Sequence, residues 1–266
     1  MELLTILLSS LLSLISPVGI LVDKVAENAI RDQLQQAQQL QVRVDNAPTH
    51  QLLQGRVERV RIAGRNLRLK QQDIQIALLE LETDSIELDP RSFRRSKPKL
   101  KRPLQAGVRL VLTQENINKA LQSPELIARL RKINLGLPGN VQNTDFINPR
   151  VEFLTNNRLR FQVEIREQGK EQSLFVLLET GLGVLQERQI QLIEPIIFVN
   201  GEEVPPAFVK ILVSNLGQHL DLQNLEQYGL QARILQLNMR NKQIELAAFL
   251  HLEPSSKLLE IRRRSV

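Results

Sequence analysis

The sequence predicts an α+β protein, and three observations carry that expectation: runs that alternate apolar and polar residues, amphipathic segments at helical spacing, and breaks at Asn, Pro and Gly between them. The chain is organised around Gln41 to Leu69. Val42 and Val44 alternate with Gln41, Arg43 and Asp45 as a half-buried strand does, Asn46, Pro48 and Thr49 break the pattern, and Gly55 reopens an extended run holding Val60 and Ile62. One face is apolar and the other charged, so these strands need an apolar partner. The nearest is an amphipathic helix expected over Leu21 to Leu40, where Val22, Ala26, Ala29 and Ala37 recur three or four apart beside Ile30 and Leu34.

Ahead of that helix, Leu3 to Val22 is an apolar run with serines and no charge, and twenty helical residues span about 30 Å of hydrocarbon. Glu2 stands where a secretory signal carries Lys or Arg, and no small-residue cleavage site follows. Residues 1–22 are therefore expected to be a hydrophobic membrane anchor or uncleaved signal-like segment, and residues 23–266 a single domain.

Beyond Leu69, Ile74, Ile76 and Leu78 alternate on one face before Leu79 and Leu81 take the other, a parity switch that implies a bulge or strong twist. Ile86 and Leu88 form a further short strand, and Arg91 to Pro103 reads as an exposed basic loop. Leu104 to Leu112 alternates cleanly, Thr113 is placed to cap a helix, and Asn116 stands where a capping box has Glu or Gln, leaving that box incomplete. Ser123 and Pro124 open a second helical piece. Strands are expected near Val151 to Phe153, Leu159 to Ile165, Leu174 to Leu178 and Ile190 to Val199, with a turn at Asn156 and Asn157. Pro205 starts a helix to about Leu220, and Leu230 to Leu237 with Ile244 to Leu252 make a last hairpin turning near Arg240 and Asn241. The segments Leu174 to Leu178, Ile196 to Val199 and Ala247 to Leu250 are apolar on both parities, which suits strands that face a core on one side and a second apolar surface on the other.

Composition narrows the chemistry. Hydrophobic residues are 42% of the chain and aromatic residues 3%, with no Trp and one Tyr, so the apolar surface is Leu, Ile and Val and suits hydrocarbon better than sugar rings or bases. A formal net charge of +6 suits an anionic partner. Nucleic acid is disfavoured, because stacking platforms need aromatic rings and the basic loop holds only Phe93. The absence of cysteine excludes disulfides and thiolate metal sites. His50, His219 and His251 lack metal-ligand spacing, no nucleophile elbow or phosphate-binding loop is present, and Gly181 and Gly183 make only a fragment of a dinucleotide motif. Glu80, Glu82 and Asp84 share a strand face, which reads as a solvated face before it reads as a cation site. No catalytic residue, no metal ligand and no cofactor is expected.

Five segments carry a resemblance: SPVG at Ser16 to Gly19, VRVDNAP at Val42 to Pro48, QLLQGRVERVRIAGRNL at Gln51 to Leu67, LELETDSIELD at Leu79 to Asp89, and PLQAGVRLVLTQENINKALQSP at Pro103 to Pro124. Across roughly its first half the chain resembles the LmeA-like phospholipid-binding family, in its branch from oxygenic phototrophs. It departs from that pattern after Arg65, where Asn66, Leu67, Arg68 and Leu69 stand. The resemblance implies a long curved antiparallel β-sheet wrapped around helix, like tubular lipid-binding folds, and a non-enzymatic protein of an envelope or thylakoid membrane that binds phospholipid or another acyl lipid. On that reading the strand faces line an acyl cavity at Val108, Leu110, Leu112, Phe161, Val163, Ile165, Leu246 and Leu250. Arg91, Arg94, Arg95, Lys97, Lys99, Lys101 and Arg102 would meet headgroups at an anionic membrane surface. The alternative is a membrane-tethered structural adaptor with a filled core, whose basic loop docks a partner.

Overall fold

Alternation of apolar and polar residues builds most of the chain into antiparallel strands. The computed structural model describes residues 27–28, 30–45, 54–70, 74–89, 99–130, 144–167 and 172–259. The first half supplies β1 (Leu34–Asp45), β2 (Arg56–Val57), β3 (Arg59–Leu69), β4 (Gln75–Thr83), β5 (Ile86–Glu87) and β6 (Leu104–Thr113), then helices α1 (Gln114–Leu121) and α2 (Pro124–Leu130). The second half supplies β7 (Thr144–Phe153), β8 (Arg158–Glu167), β9 (Ser173–Leu185), β10 (Gln189–Val199) and β11 (Glu202–Glu203). Helix α3 (Pro206–His219), a 3-10 helix (Leu222–Tyr228), β12 (Leu230–Arg240) and β13 (Gln243–Leu252) follow. The strands form a six-stranded sheet in the order β1-β3-β4-β6-β13-β12, a five-stranded sheet β11-β10-β9-β8-β7, and the small pair β2-β5. The α+β class and the antiparallel pairing are as expected; the strands are divided between sheets instead of running through one. The hydrophobic run Leu3 to Val22 lies outside the described residues.

The helix expected up to Leu40 ends sooner, because β1 begins at Leu34. Leu34, Ala37 and Leu40 are spaced three apart, which imitates a helix. In the sheet they face Leu69, Leu67 and Gly64 of β3, and the spacing arises from a register irregularity between Leu34 and Gln36 followed by a change of parity between Ala37 and Leu40. The same break crosses β3, where Asn66 adopts φ 48° and donates from its side chain to Gln38 of β1. It crosses β4 as well, where burial passes from Ile76 to Leu79 and Leu81. The parity switch expected in β4 is thus one segment of a line across three neighbouring strands. At the point where the sequence departs from the family pattern, β3 simply continues to Leu69.

One face of the six-stranded sheet holds the packed core. Ile62 and Leu67 of β3, Ile76 and Leu79 of β4, Leu104 of β6, Leu230 of β12 and Leu252 of β13 are almost wholly buried there. Val57 and Ile86 of the small pair, with Leu88, Leu100 and Leu258, close one end, and Leu222, Leu225 and Tyr228 of the 3-10 helix pack beside them. The capping box at α1 is complete after all: Thr113 Oγ1 accepts the backbone N–H of Asn116, and Asn116 Oδ1 accepts that of Thr113. Asn supplies the same carbonyl oxygen that Gln would. Ser123 Oγ accepts the backbone N–H of Leu126 at the start of α2, and α3 follows Pro205 as expected.

The five-stranded sheet abuts the six-stranded one end-on. Asn157, in the turn between β7 and β8, accepts the backbone N–H of Met239 on Oδ1; Glu187, in the turn between β9 and β10, accepts the backbone N–H of Ile234 on its carbonyl oxygen. Both contacts use the outer edge of β12, so two turns satisfy backbone groups that an open edge would leave to another chain. The far edge, β7, is covered similarly. Asn118 of α1 both donates to the Val151 carbonyl and accepts its N–H, and Gln114 Oε1 accepts the N–H of Phe153.

Candidate functional site

Two apolar sheet faces are present, and they are covered to different extents. Along β6 and β13 the pairs run Leu104 with Leu252, Ala106 with Leu250, Val108 with Ala248, Leu110 with Leu246 and Leu112 with Ile244. The first two pairs are sealed in the core, with Leu250 only 3% exposed. Toward α1 the filling thins, and Val108, Leu110, Leu112 and Leu246 are half-buried.

On the five-stranded sheet the register sets apolar side chains in rows: Phe146, Ile165 and Leu174; Val163, Val176 and Val199; Val151, Phe161, Leu178 and Ile197. Of these only Phe146, Val163 and Ile197 are buried. The others are half-buried, and Leu174 is 49% exposed at the end of its row. This face is therefore apolar without being filled, whereas the core of the six-stranded sheet is closed by its own side chains. The difference matters because buried apolar area is the main stabilising contribution in a fold, and a face left partly open forgoes it.

The opposite faces carry internally paired charges, except toward the Phe175 end of β9 and β10, where Leu177 pairs with Phe198. Arg160 bonds Glu152 at 3.0 Å and Glu179 at 2.7 Å across β7, β8 and β9. On the six-stranded sheet Arg109 bridges Glu80 at 3.0 Å and Glu245 at 2.5 Å, and Arg59 pairs with Glu82 at 3.0 Å. Asp45 sits between Arg61 and Arg43; the hydrogen bond from Arg61 chiefly, with that from Arg43, holds its carboxyl below the usual range against the opposing effect of burial. An open cleft of about 570 Å³ crosses this face above Ala63, Gly107 and Ala247. Glu80 and Glu82 answer to arginines here, and among the described residues no three His, Asp or Glu side chains gather as a metal site. His251 lies 3.1 Å from Glu253, and His219 is exposed at the end of α3.

The candidate acyl-cavity residues thus separate into two groups. Val108, Leu110, Leu112, Leu246 and Leu250 share the face of β6 and β13; Phe161, Val163 and Ile165 belong to β8, on the other sheet. Of the candidate headgroup residues, Arg91, Arg94, Arg95 and Lys97 lie outside the described residues. Lys99, Lys101 and Arg102 are exposed at the base of that loop, where Leu88 and Leu100 form a bridge and Arg102 approaches Glu87 at 3.4 Å. This is the closed end of the sheet, so Arg102 stands about 25 Å along the extended chain from Leu110. The strongest part of the open face, in β7, β9 and β10, was not singled out residue by residue. The signal for β9 and β10 is their apolar character on both parities.

A two-sheet antiparallel α+β protein with one closed and one partly open apolar face is the class that fold and site define. The chain belongs to the LmeA-like phospholipid-binding family, whose model matches residues 15–249, well beyond the first half that carries the recognisable motifs. No curated protein and no solved structure matches the chain. Among the described residues no helix is long and apolar enough to cross a membrane.

Proposed function

We propose that the protein binds a phospholipid with its acyl chains along the open apolar face of β7–β10 and the thinly filled part of β6 and β13, and that it carries or presents this lipid at a membrane of the cell envelope or thylakoid without catalysing a reaction. The contrast in burial between the two sheet faces carries the reading. From Leu159 to Ile165 the open face runs about 20 Å along β8, against roughly 15 Å for the hydrocarbon of one bilayer leaflet, so its length suits an acyl chain. Each methylene placed there contributes about 0.8 kcal/mol, which lets even partial insertion hold a lipid. Residues 1–22 would tether the protein, and the basic loop would meet anionic headgroups, each side chain near the surface contributing about 1 kcal/mol.

The adaptor reading draws on the packed core around Leu250 and Leu104. Native mass spectrometry of the chain from Asp23 onward, purified without detergent, separates the two. Bound phospholipid is expected, and replacing Leu110, Val163 or Leu246 by Asp should lower its occupancy. A protein free of lipid, with the open face filled by side chains, would leave the adaptor.

A further inference from the structure

Seven of the eight large hydrophobic side chains exposed among the described residues fall between Leu174 and Ile211, in β9, β10 and α3. Leu174 belongs to the open face, whereas by register Phe175 and Ile196 share the other side of that sheet; singly scattered apolar residues need no explanation, but a concentration there marks a contact surface. Helix α3 strengthens the point. Its sequence, PAFVKILVSNLGQH, contains no acidic residue and one lysine. Val209 is buried and lines a cleft against Pro195, Ile196 and Val204, whereas Phe208 and Ile211 are 61% and 53% exposed. A helix apolar on both sides is one that is covered on both sides in its working state.

The hydrogen bonds orient this helix. The Ile190 N–H donates to the Leu220 carbonyl, Gln189 Nε2 donates to that of Gly217, and the Val204 N–H donates to that of Ile197. Helix α3 therefore runs back along β10, starting beside Ile196 and Ile197 and ending beside Ile190. Beyond that start, at the end of the sheet where Leu174 terminates the open apolar face, Phe175 and Asn200 exchange two hydrogen bonds of 2.9 Å, and Phe175 is exposed on the other side. The exposed surface and the open face thus meet at one rim.

We propose that α3 and the adjoining outer side of β9 and β10 form a bilayer-contacting surface, with Phe208 and Ile211 entering the acyl region and Lys210 reaching headgroup phosphate. The inference rests on the lipid-binding reading of the open face. A lipid that leaves this face past Leu174 then enters the membrane without its chains crossing water, and that continuity selects a bilayer over a protein partner. Glu202 and Glu203 are exposed at the same rim, so insertion and not attraction to anionic lipid drives the contact.

The chain contains no cysteine, which allows single environment-sensitive labels at Phe208→Cys, at Ile211→Cys and, as a reference, at Gln231→Cys on β12. The full chain is incorporated into neutral phosphatidylcholine vesicles, with and without spin-labelled acyl chains. The labels at positions 208 and 211 should shift to the blue and be quenched by the acyl spin label, while the label at 231 stays aqueous. Bound phospholipid is measured by native mass spectrometry on the same labelled variants before vesicles are added. Lipid bound with an aqueous label at 208 overturns the docking surface and leaves the lipid-binding reading intact; no lipid bound overturns the latter. A blue shift at 208 that needs no vesicles would assign the surface to a second copy or to the Leu3–Val22 segment, and the proposal would be lost.

Discussion

The side-chain oxygen of Asn157 accepts the backbone N–H of Met239 at 2.7 Å across 82 residues of sequence. Its amide nitrogen donates to the Leu182 carbonyl at 2.9 Å, so one residue joins the hairpin of β7 and β8, strand β9 and the edge of β12. Asn157 has φ 59°, a conformation asparagine tolerates better than most residues. Replacing it by Ala should cost about 1–3 kcal/mol, since two backbone groups lose partners. Asn157→Gly accommodates the backbone and removes the same bonds, so comparing the two in urea unfolding separates conformation from bonding. Faster amide exchange at Met239 in both variants would locate the loss at the joint.

Gly64 lies under Leu67. A Cβ at position 64 would come within 2.6 Å of Leu67 Cδ1, and Leu67 is itself 2% exposed, so it has little room to retreat. Gly64→Ala is expected to destabilise by about 1–3 kcal/mol. Adding Leu67→Ala should recover part of that cost, and a double-mutant cycle in denaturant reads the coupling directly.

Asp45 makes a pH-dependent contribution. Its folded pKa lies below the unfolded value of about 3.9, so the stabilisation is fully present above that value and is lost as pH falls through the lower folded one. Thermal unfolding of the protein and of Asp45→Asn, followed from pH 6 down to pH 2, should show curves that separate at the upper end and converge in acid. Added salt should narrow the separation, because the Arg43–Asp45–Arg61 group is partly exposed.

Leu178 occupies the middle of the open face and is half-buried. Leu178→Trp should fill the space that an acyl chain would take, lowering bound phospholipid while stability changes by under about 1 kcal/mol. The same substitution at Leu79, which is 1% exposed in the closed core, should instead damage folding. Lipid mass spectrometry and denaturant unfolding on both variants make the comparison.

Local pattern was sufficient for much of the fold. Alternation located β6, apolar runs between turn signals located β8 and β13, Pro205 marked the start of α3, and Asn156 with Asn157 marked a turn that forms with both residues at positive φ. Local pattern misled where a parity break at Leu34, Ala37 and Leu40 copied a helical spacing. It also could not pair β6 with β13, since their register joins residues more than a hundred positions apart, nor divide the strands between sheets that meet through backbone bonds to turns. The candidate site was legible to the same depth. Polarity tells which side of β6, β8 or β13 faces inward; whether other side chains then fill that side depends on packing, which separates sealed Leu250 from half-buried Leu246.

The pairing of β6 with β13 has a consequence for biogenesis. Strand β6 is complete at Thr113, but its second neighbour begins only at Gln243; at ~5–20 residues per second the ribosome needs roughly 7–26 s to make the interval. During that time β4 covers one edge of β6 and the other edge waits, exposed to any strand within reach. Loop closure of this length also makes the final step slow. A nascent chain stalled before Leu230 would hold a four-stranded sheet and a five-stranded sheet with no shared edge to join them, a species prone to aggregation and suited to chaperone capture.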